Sequence, residues 1–304
     1  MQEPGLNNRS GTIMEAFIIN GVAFYQVRLP PGVGNPAERW LKVKATKVEA
    51  MSPLWDLDIT AVHSQLRWGE VEQKLIFIDS EGQHREFRLE LPLNFPLGND
   101  AERVGTEATA WREWPLLLYF HGAGGESFYG NTKKSLHSAG LQYAAANFVV
   151  VSPMCSWDYR QIPGSWVNEL VQTLRASEWI DDKRIYATGQ STGGMSTLEV
   201  SAARPDLYAA IAPVAAWHRE ERTEQIAEQL CRTPVLAIHS SKDETSPKAV
   251  EEPLWEALQR IGDHYDGSLL QVELGDHSHC SMFERAFCDD VFVYEWLLRF
   301  VKNS

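Results

Sequence analysis

Arg184-Ile185-Tyr186-Ala187-Thr188-Gly189-Gln190-Ser191-Thr192-Gly193-Gly194-Met195 is the stretch whose reading decides the fold. A short β-prone run breaks into Gly-x-Ser-x-Gly and then into a helix-compatible segment, the layout of a nucleophile elbow. In such a turn a Cβ at Gly189 or Gly193 would collide with neighbouring backbone, and its absence lets the serine hydroxyl rise clear of the sheet. Ser191 is therefore the candidate nucleophile. By itself the pattern recurs by chance in roughly one chain of this length in ten. A glycine-rich turn whose serine only caps the following helix would look the same. The flanking elements have to decide between the two.

Outward from this stretch the chain alternates strand-like and helix-like segments. Upstream, Leu116-Leu117-Leu118-Tyr119-Phe120 is a continuous apolar run between Pro115 and His121-Gly122-Ala123-Gly124-Gly125, as expected of a strand buried on both faces. A helical stretch over Lys134 to Asn147 leads to a second run, Phe148 to Val151. Val167, Leu170, Val171 and Leu174 then recur at helical spacing behind Ser165, a candidate N-cap. Downstream, a helix ending near Arg204-Pro205-Asp206 precedes the strands Ala209 to Val214, Val235 to His239 and Leu269 to Leu274. A polar helical connection, a helix around Leu254 to Ile261 and a final helix with Val293, Trp296, Leu297 and Phe300 on one face complete the series. Such alternation implies a mostly parallel sheet with helices on both faces.

The first half opens differently. Lys74 to Ile78 and Arg85 to Leu91 flank Asp79-Ser80-Glu81-Gly82 and read as an antiparallel hairpin. Leu97 to Trp111 reads as a solvated loop. Before these, Phe17 to Ile19, Ala23 to Leu29, Trp40 to Val48 and Leu57 to Val62 read as short strands of a β-rich extension. The expected organisation is an extension over residues 1–66 and an α/β domain over 67–304.

Composition narrows the function classes. The 304 residues are 44% hydrophobic with 11 Trp, a globular balance, and the net charge of −13 disfavours nucleic acid and anionic membrane surfaces as partners. Met1 to Asn20 lacks a basic region followed by an apolar core, and no run reaches the ~18 apolar residues of a membrane span, so a cytoplasmic protein is expected. Cys155, Cys231, Cys280 and Cys288 are scattered without a Cys-x-x-Cys pair and read as reduced.

Catalytic groups of a parallel sheet gather at the carboxyl ends of its strands. A serine hydroxyl needs a base, the base an orienting carboxylate, and a tetrahedral intermediate preformed N–H donors. The run ending at His239 is followed by Asp243, with Glu244 adjacent as the alternative acid. The next strand end carries Asp276-His277-Ser278-His279. The order Ser, acid, His is that of an α/β-hydrolase, and the oxyanion donors would be the backbone N–H groups of Thr192 and Ala123. Dinucleotide binding fits poorly, since Ser127 occupies the third glycine position after Gly122-Ala123-Gly124. A metal site at Asp276 to Cys280 lacks a second ligand group at a recognisable spacing. Neither a cofactor nor a metal is expected.

His121-Gly122-Ala123-Gly124, Val151-Ser152-Pro153-Met154-Cys155 and Asp182 through Gly194 together resemble the esterase and putative-peptidase branch of the α/β-hydrolases, which includes relatives of polyhydroxybutyrate depolymerase and feruloyl esterase. Arg204 to Ala210, Asp243 to Pro247 and Tyr294 to Leu298 extend the resemblance over about residues 70 to 300. It implies a triad of Ser191, Asp243 and a histidine, with Ala123 and Thr192 as the oxyanion hole. Gln190 and Thr192 stand where that branch usually has an apolar residue and a Met, and Met154 where it often has Gln. Overlay of Val272-Glu273-Leu274 on the family's last strand selects His279, whereas Gly275-Asp276-His277 resembles the ending of other hydrolase branches and keeps His277 as the alternative.

The expected activity is hydrolysis of carboxylic esters through an acyl-enzyme. A serine peptidase or acyltransferase on the same triad, or a non-catalytic small-ligand receptor, are the alternatives. Trp157 and Trp217, with Tyr159, Trp166 and His218, are candidates either for an aromatic pocket or for the core. A small-molecule ester is the expected partner, and the sequence leaves the oligomeric state open.

Overall fold

A computed structural model describes residues 12–19, 22–28, 40–44, 73–90, 92, 113–124, 138–154, 165–177, 180–247, 251–265 and 267–302. Among these, β1 (Thr12–Ile19), β2 (Val22–Arg28) and β3 (Trp40–Lys44) form a three-stranded antiparallel sheet. The strand expected over Leu57 to Val62 and the loop over Leu97 to Trp111 lie outside the described residues, as do Trp157 and Tyr159.

The second sheet begins with the hairpin of β4 (Gln73–Ile78) and β5 (His84–Glu90), paired antiparallel as the sequence predicts. Its turn is built on the Asp79 carboxylate, which accepts the N–H groups of Glu81 at 3.1 Å and Gln83 at 2.7 Å and the Arg85 Nε–H at 2.7 Å. An Asp that folds back on its own turn in this way offers the backbone partners that a ladder cannot.

Six further strands complete the sheet: β6 (Trp114–Phe120), β7 (Val149–Pro153), β8 (Ile180–Gln190), β9 (Ala210–Val214), β10 (Val235–His239) and β11 (Leu269–Glu273). Their order is β11-β10-β9-β8-β6-β7-β5-β4, parallel from β11 to β7 and antiparallel beyond. The unbroken apolar run of β6 is explained by this order, because the strand lies between β7 and β8 and is buried at every position. β11, at the end of the sheet, is only partly covered.

Helices α1 (Ala139–Asn147), α2 (Ser165–Arg175), α3 (Thr192–Ala203), α4 (Thr223–Gln229), α5 (Glu252–Ile261), α6 (His279–Phe283) and α7 (Phe292–Leu297) fall between and after these strands. Ser165 is the first residue of α2 rather than its cap. The pleat sends alternate residues of β6 into two cores. Leu116, Leu118 and Phe120 join Val167, Leu170 and Val171 of α2 on one face. Leu117 and Tyr119 join Leu141 and Ala144 of α1 and Val293 and Trp296 of α7 on the other. Each such fully buried side chain contributes about 1.5–3 kcal/mol. The Tyr186 hydroxyl crosses to the carbonyl of Phe300 at 2.7 Å, which satisfies a buried phenol and docks the C-terminal segment.

The register aligns the carboxyl ends. Phe120 of β6 faces Gly189 of β8, Gln190 faces Val214 of β9, and His239 of β10 faces Glu273 of β11. The loops that start after these residues therefore emerge along one edge. Where β8 passes into α3 the backbone runs hard against β6: a Cβ at Gly193 would lie 1.9 Å from the Phe120 carbonyl oxygen, and one at Gly189 2.5 Å from the same atom. Gly193→Ala is expected to destabilise the protein by about 3 kcal/mol. Gly124→Ala adds a methyl with nothing within 4 Å and should change stability by less than about 0.5 kcal/mol. Urea unfolding of the two variants beside wild type checks the contrast.

Candidate active site

Ser191 sits between β8 and α3 at φ 60° and ψ −121°, a left-handed conformation that a side-chain-bearing residue adopts at a cost of about 1–3 kcal/mol. Both its peptide groups are used: the N–H donates to Val214 O at 2.9 Å, and the carbonyl accepts from Met195 N at 3.1 Å. The backbone is thus held in the strained turn from two sides, and the side chain stays partly exposed.

The loop after β6 runs beside it. A Cβ at Gly122 would come within 3.7 Å of the Ser191 Cβ and 3.3 Å of the Gln190 carbonyl oxygen. Thr192, next to the serine in the chain, and Ala123, in the loop after β6, are the candidate oxyanion donors, and both are half-buried.

Asp243 lies in the turn after β10 with its carboxylate buried. Its Oδ1 accepts the N–H groups of Thr245 and Ser246, each at 2.9 Å, and its Oδ2 accepts from His279 Nδ1 at 2.8 Å. A carboxylate oxygen accepts, so Nδ1 is the donor in this bond and Nε2 lies on the opposite side of the ring. Glu244, the alternative acid, is exposed. His277, the alternative base, is tied to the acid loop through its peptide carbonyl, which accepts from the Ser240 hydroxyl at 2.6 Å.

His279 opens α6, whose N-cap is Ser278. Two contacts fix this segment against its neighbours. Ser240, fully buried directly after β10, shares its hydroxyl proton between His277 O at 2.6 Å and Gly275 O at 3.0 Å and accepts the Lys242 N–H at 3.1 Å. Gln190, the residue before the serine, donates its Nε2–H to the His279 carbonyl. Neither contact follows from composition or spacing. The one signal for Ser240 is a polar residue at the end of an otherwise apolar strand.

Beyond β9, Trp217 is half-buried on the same edge, and the connection that carries it is tied down by polar contacts. His218 Nε2 meets Thr223 Oγ1 at 2.7 Å, and Arg222 Nη2 donates to the buried Glu199 of α3 at 2.7 Å. Trp166, the other aromatic with two readings, is a core residue. Among the described residues no group of three or more His, Cys, Asp or Glu is arranged to hold a metal ion, and no helix is long and apolar enough to cross a membrane.

Two outcomes follow from these contacts. Ser240→Ala removes the hydroxyl that ties the Gly275 and His277 carbonyls to the end of β10 and should cost about 0.5–1.5 kcal/mol, measured by chemical denaturation. Burial pushes the His218 imidazole below its ordinary range, against the opposing pull of Glu199 and Glu220. The unfolded chain then binds a proton at His218 more readily than the folded one, so stability rises with pH. Stability should fall as the pH drops below about 6.5, and His218→Asn should remove part of that fall in thermal melts across pH 5 to 8.

More than half of the chain matches known proteins. Residues 130–304 fit the model of the family described as PET hydrolase-like. Cutinase 1 of Thermobifida cellulosilytica is 28% identical over 186 residues, which is 58% of this chain and 66% of that protein. Poly(3-hydroxyalkanoate) depolymerase C of Paucimonas lemoignei is 31% identical over 68 residues, 22% of this chain and 16% of that protein. Among solved structures, a thermostable esterase superposes with a TM-score of 0.56 at 21% identity over 76% of this chain and 63% of its own, a likeness of fold. The matched stretch spans 54% to 66% of the length of the Thermobifida cutinases. With more than half of its length matched, the chain belongs to the PET hydrolase-like family.

Proposed function

We propose that this protein hydrolyses carboxylic esters through a Ser191–His279–Asp243 triad. The observation that carries the reading is the 2.8 Å hydrogen bond from His279 Nδ1 to the buried Asp243 carboxylate, on the edge where the strained Ser191 turn emerges. Family membership supports an ester as substrate, and the absence of a long segment between β9 and α4 favours an open cleft that admits modest acyl and aryl esters.

In the forward step Ser191 Oγ attacks the ester carbonyl carbon while His279 Nε2 takes the hydroxyl proton. Negative charge moves to the carbonyl oxygen, where the N–H groups of Ala123 and Thr192 would receive it. Asp243 keeps the imidazole oriented and stabilises its charged form. Collapse of the tetrahedral adduct breaks the bond to the alcohol, which leaves with the proton from His279. A water then attacks the acyl-enzyme, gives its proton to the same Nε2, and the second collapse releases the carboxylic acid and returns the proton to Ser191.

A fluorophosphonate should label wild type and not Ser191→Ala. On an activated aryl ester, Ser191→Ala and His279→Ala should each lose about 10⁴-fold or more in kcat, and Asp243→Asn about 10⁴-fold because the ring then prefers the wrong tautomer. His277→Ala should keep most of the activity. Retained labelling in Ser191→Ala, or equal losses at His277 and His279, would overturn the assignment.

A further inference from the structure

We propose that Gln190 is a positioning residue for the base, holding the peptide of His279 at a fixed distance from Ser191; this rests on the triad reading above. Gln190 is the last residue of β8 and is buried, so its side chain is not free to trade partners with solvent. Its Nε2–H donates to the carbonyl of His279, a residue 89 positions further along the chain.

The need for such a contact follows from how His279 is attached. Its ring is held at one atom, Nδ1, by Asp243. A single hydrogen bond leaves the ring free to swing about that bond, and the His279 peptide, at the first residue of α6, is not held by it. The Asp243 contact fixes the ring at Nδ1 but leaves rotation about that bond open, and Nε2 turns with it. A second tether on the main chain of the same residue removes that freedom. Gln190 supplies it from the residue bonded to Ser191, so nucleophile and base share one rigid reference, the end of β8. The Ser240 clamp acts further back, on the carbonyls of Gly275 and His277, and does not touch the His279 peptide itself.

The amide is suited to the task. It is neutral, so it adds no charge beside the imidazolium formed during the reaction, and it donates to a carbonyl that a carboxylate would repel. A thioether of similar length would fill the volume with no donor. A displacement of about 1 Å in a catalytic group can cost about 100-fold in rate, which sets the scale of the effect.

The test compares wild type, Gln190→Met, Gln190→Glu and His279→Ala in the full chain on an activated aryl acetate. Gln190→Met should lower kcat by about 10-fold to 100-fold with KM unchanged and slow fluorophosphonate labelling by a similar factor. The low-field proton resonance of the His–Asp hydrogen bond should broaden or move, while the thermal midpoint stays near that of wild type. Gln190→Glu keeps the shape but loses the donor, so it should lose at least as much kcat, and it carries the test if the Met variant folds poorly. Wild-type kcat in either variant overturns the proposal, as does a loss of kcat that tracks a fall in thermal midpoint with the resonance intact. If His279→Ala is fully active, the triad reading fails; if it is inactive while Gln190→Met is not, only the role of Gln190 fails.

Discussion

The candidate site depends on one close approach, the carbonyl of Phe120 against the Cα of Gly193. β6 and β8 are neighbours in the sheet, with Phe120 opposite Gly189, and α3 has to begin where β8 ends. There is no room for a side chain at that crossing. The chain can turn that sharply only by driving Ser191 to φ 60°, and the cost is borne because its N–H and carbonyl are both taken up by neighbouring backbone. A serine raised in this way follows from packing: the helix cannot approach the strand so closely by any gentler turn.

What surrounds the serine is assembled from loops far apart in the chain, and hydrogen bonds rather than apolar contacts fix their relative positions. Asp243 binds the N–H groups of its own turn and the ring of His279. Ser246, in that same turn, reaches the Ala216 carbonyl at 3.3 Å and links the acid loop to the connection bearing Trp217. Ser240 joins the acid loop to the loop that leads to His279. Apolar burial is nearly indifferent to a shift of half an ångström along a contact, whereas a hydrogen bond weakens with misalignment. Directional bonds at the strand ends and apolar contacts beneath them divide the work accordingly.

This division explains what the sequence disclosed. The strands from β4 to β11 were legible because burial writes itself into composition: the apolar run of β6 and the helical spacing of Val167, Leu170, Val171 and Leu174 each report the face they bury. The elbow was legible because a steric prohibition allows only glycine at residues 189 and 193. Asp243 and His279 could be nominated from strand ends, but selecting His279 over His277 needed a resemblance, since two positions apart in a loop carries no periodic signal. The contacts of Gln190 and Ser240 were not legible at all. They join residues 89 and 37 positions apart, and only the register of the sheet brings them together. The short α6 escaped notice because a helix of five residues lacks a full amphipathic repeat.

The same logic extends to the polar groups buried directly behind the acid loop. His239, the last residue of β10, is fully buried and its Nε2 faces the buried carboxylate of Glu251, next to the start of α5. A pair of polar groups buried together is a poor source of stability, because each group loses its hydration on burial and an apolar pair of equal volume would serve as well. Its distinctive property is direction. Leucines at both positions could slide past one another, while the imidazole and carboxylate meet in few geometries. Since Ser240 follows His239 and Asp243 lies three residues further on, fixing the end of β10 against α5 fixes the origin of the loop that holds Asp243. Stability and placement are thus supplied by different residues here, and a core substitution that preserves the first can still disturb the second.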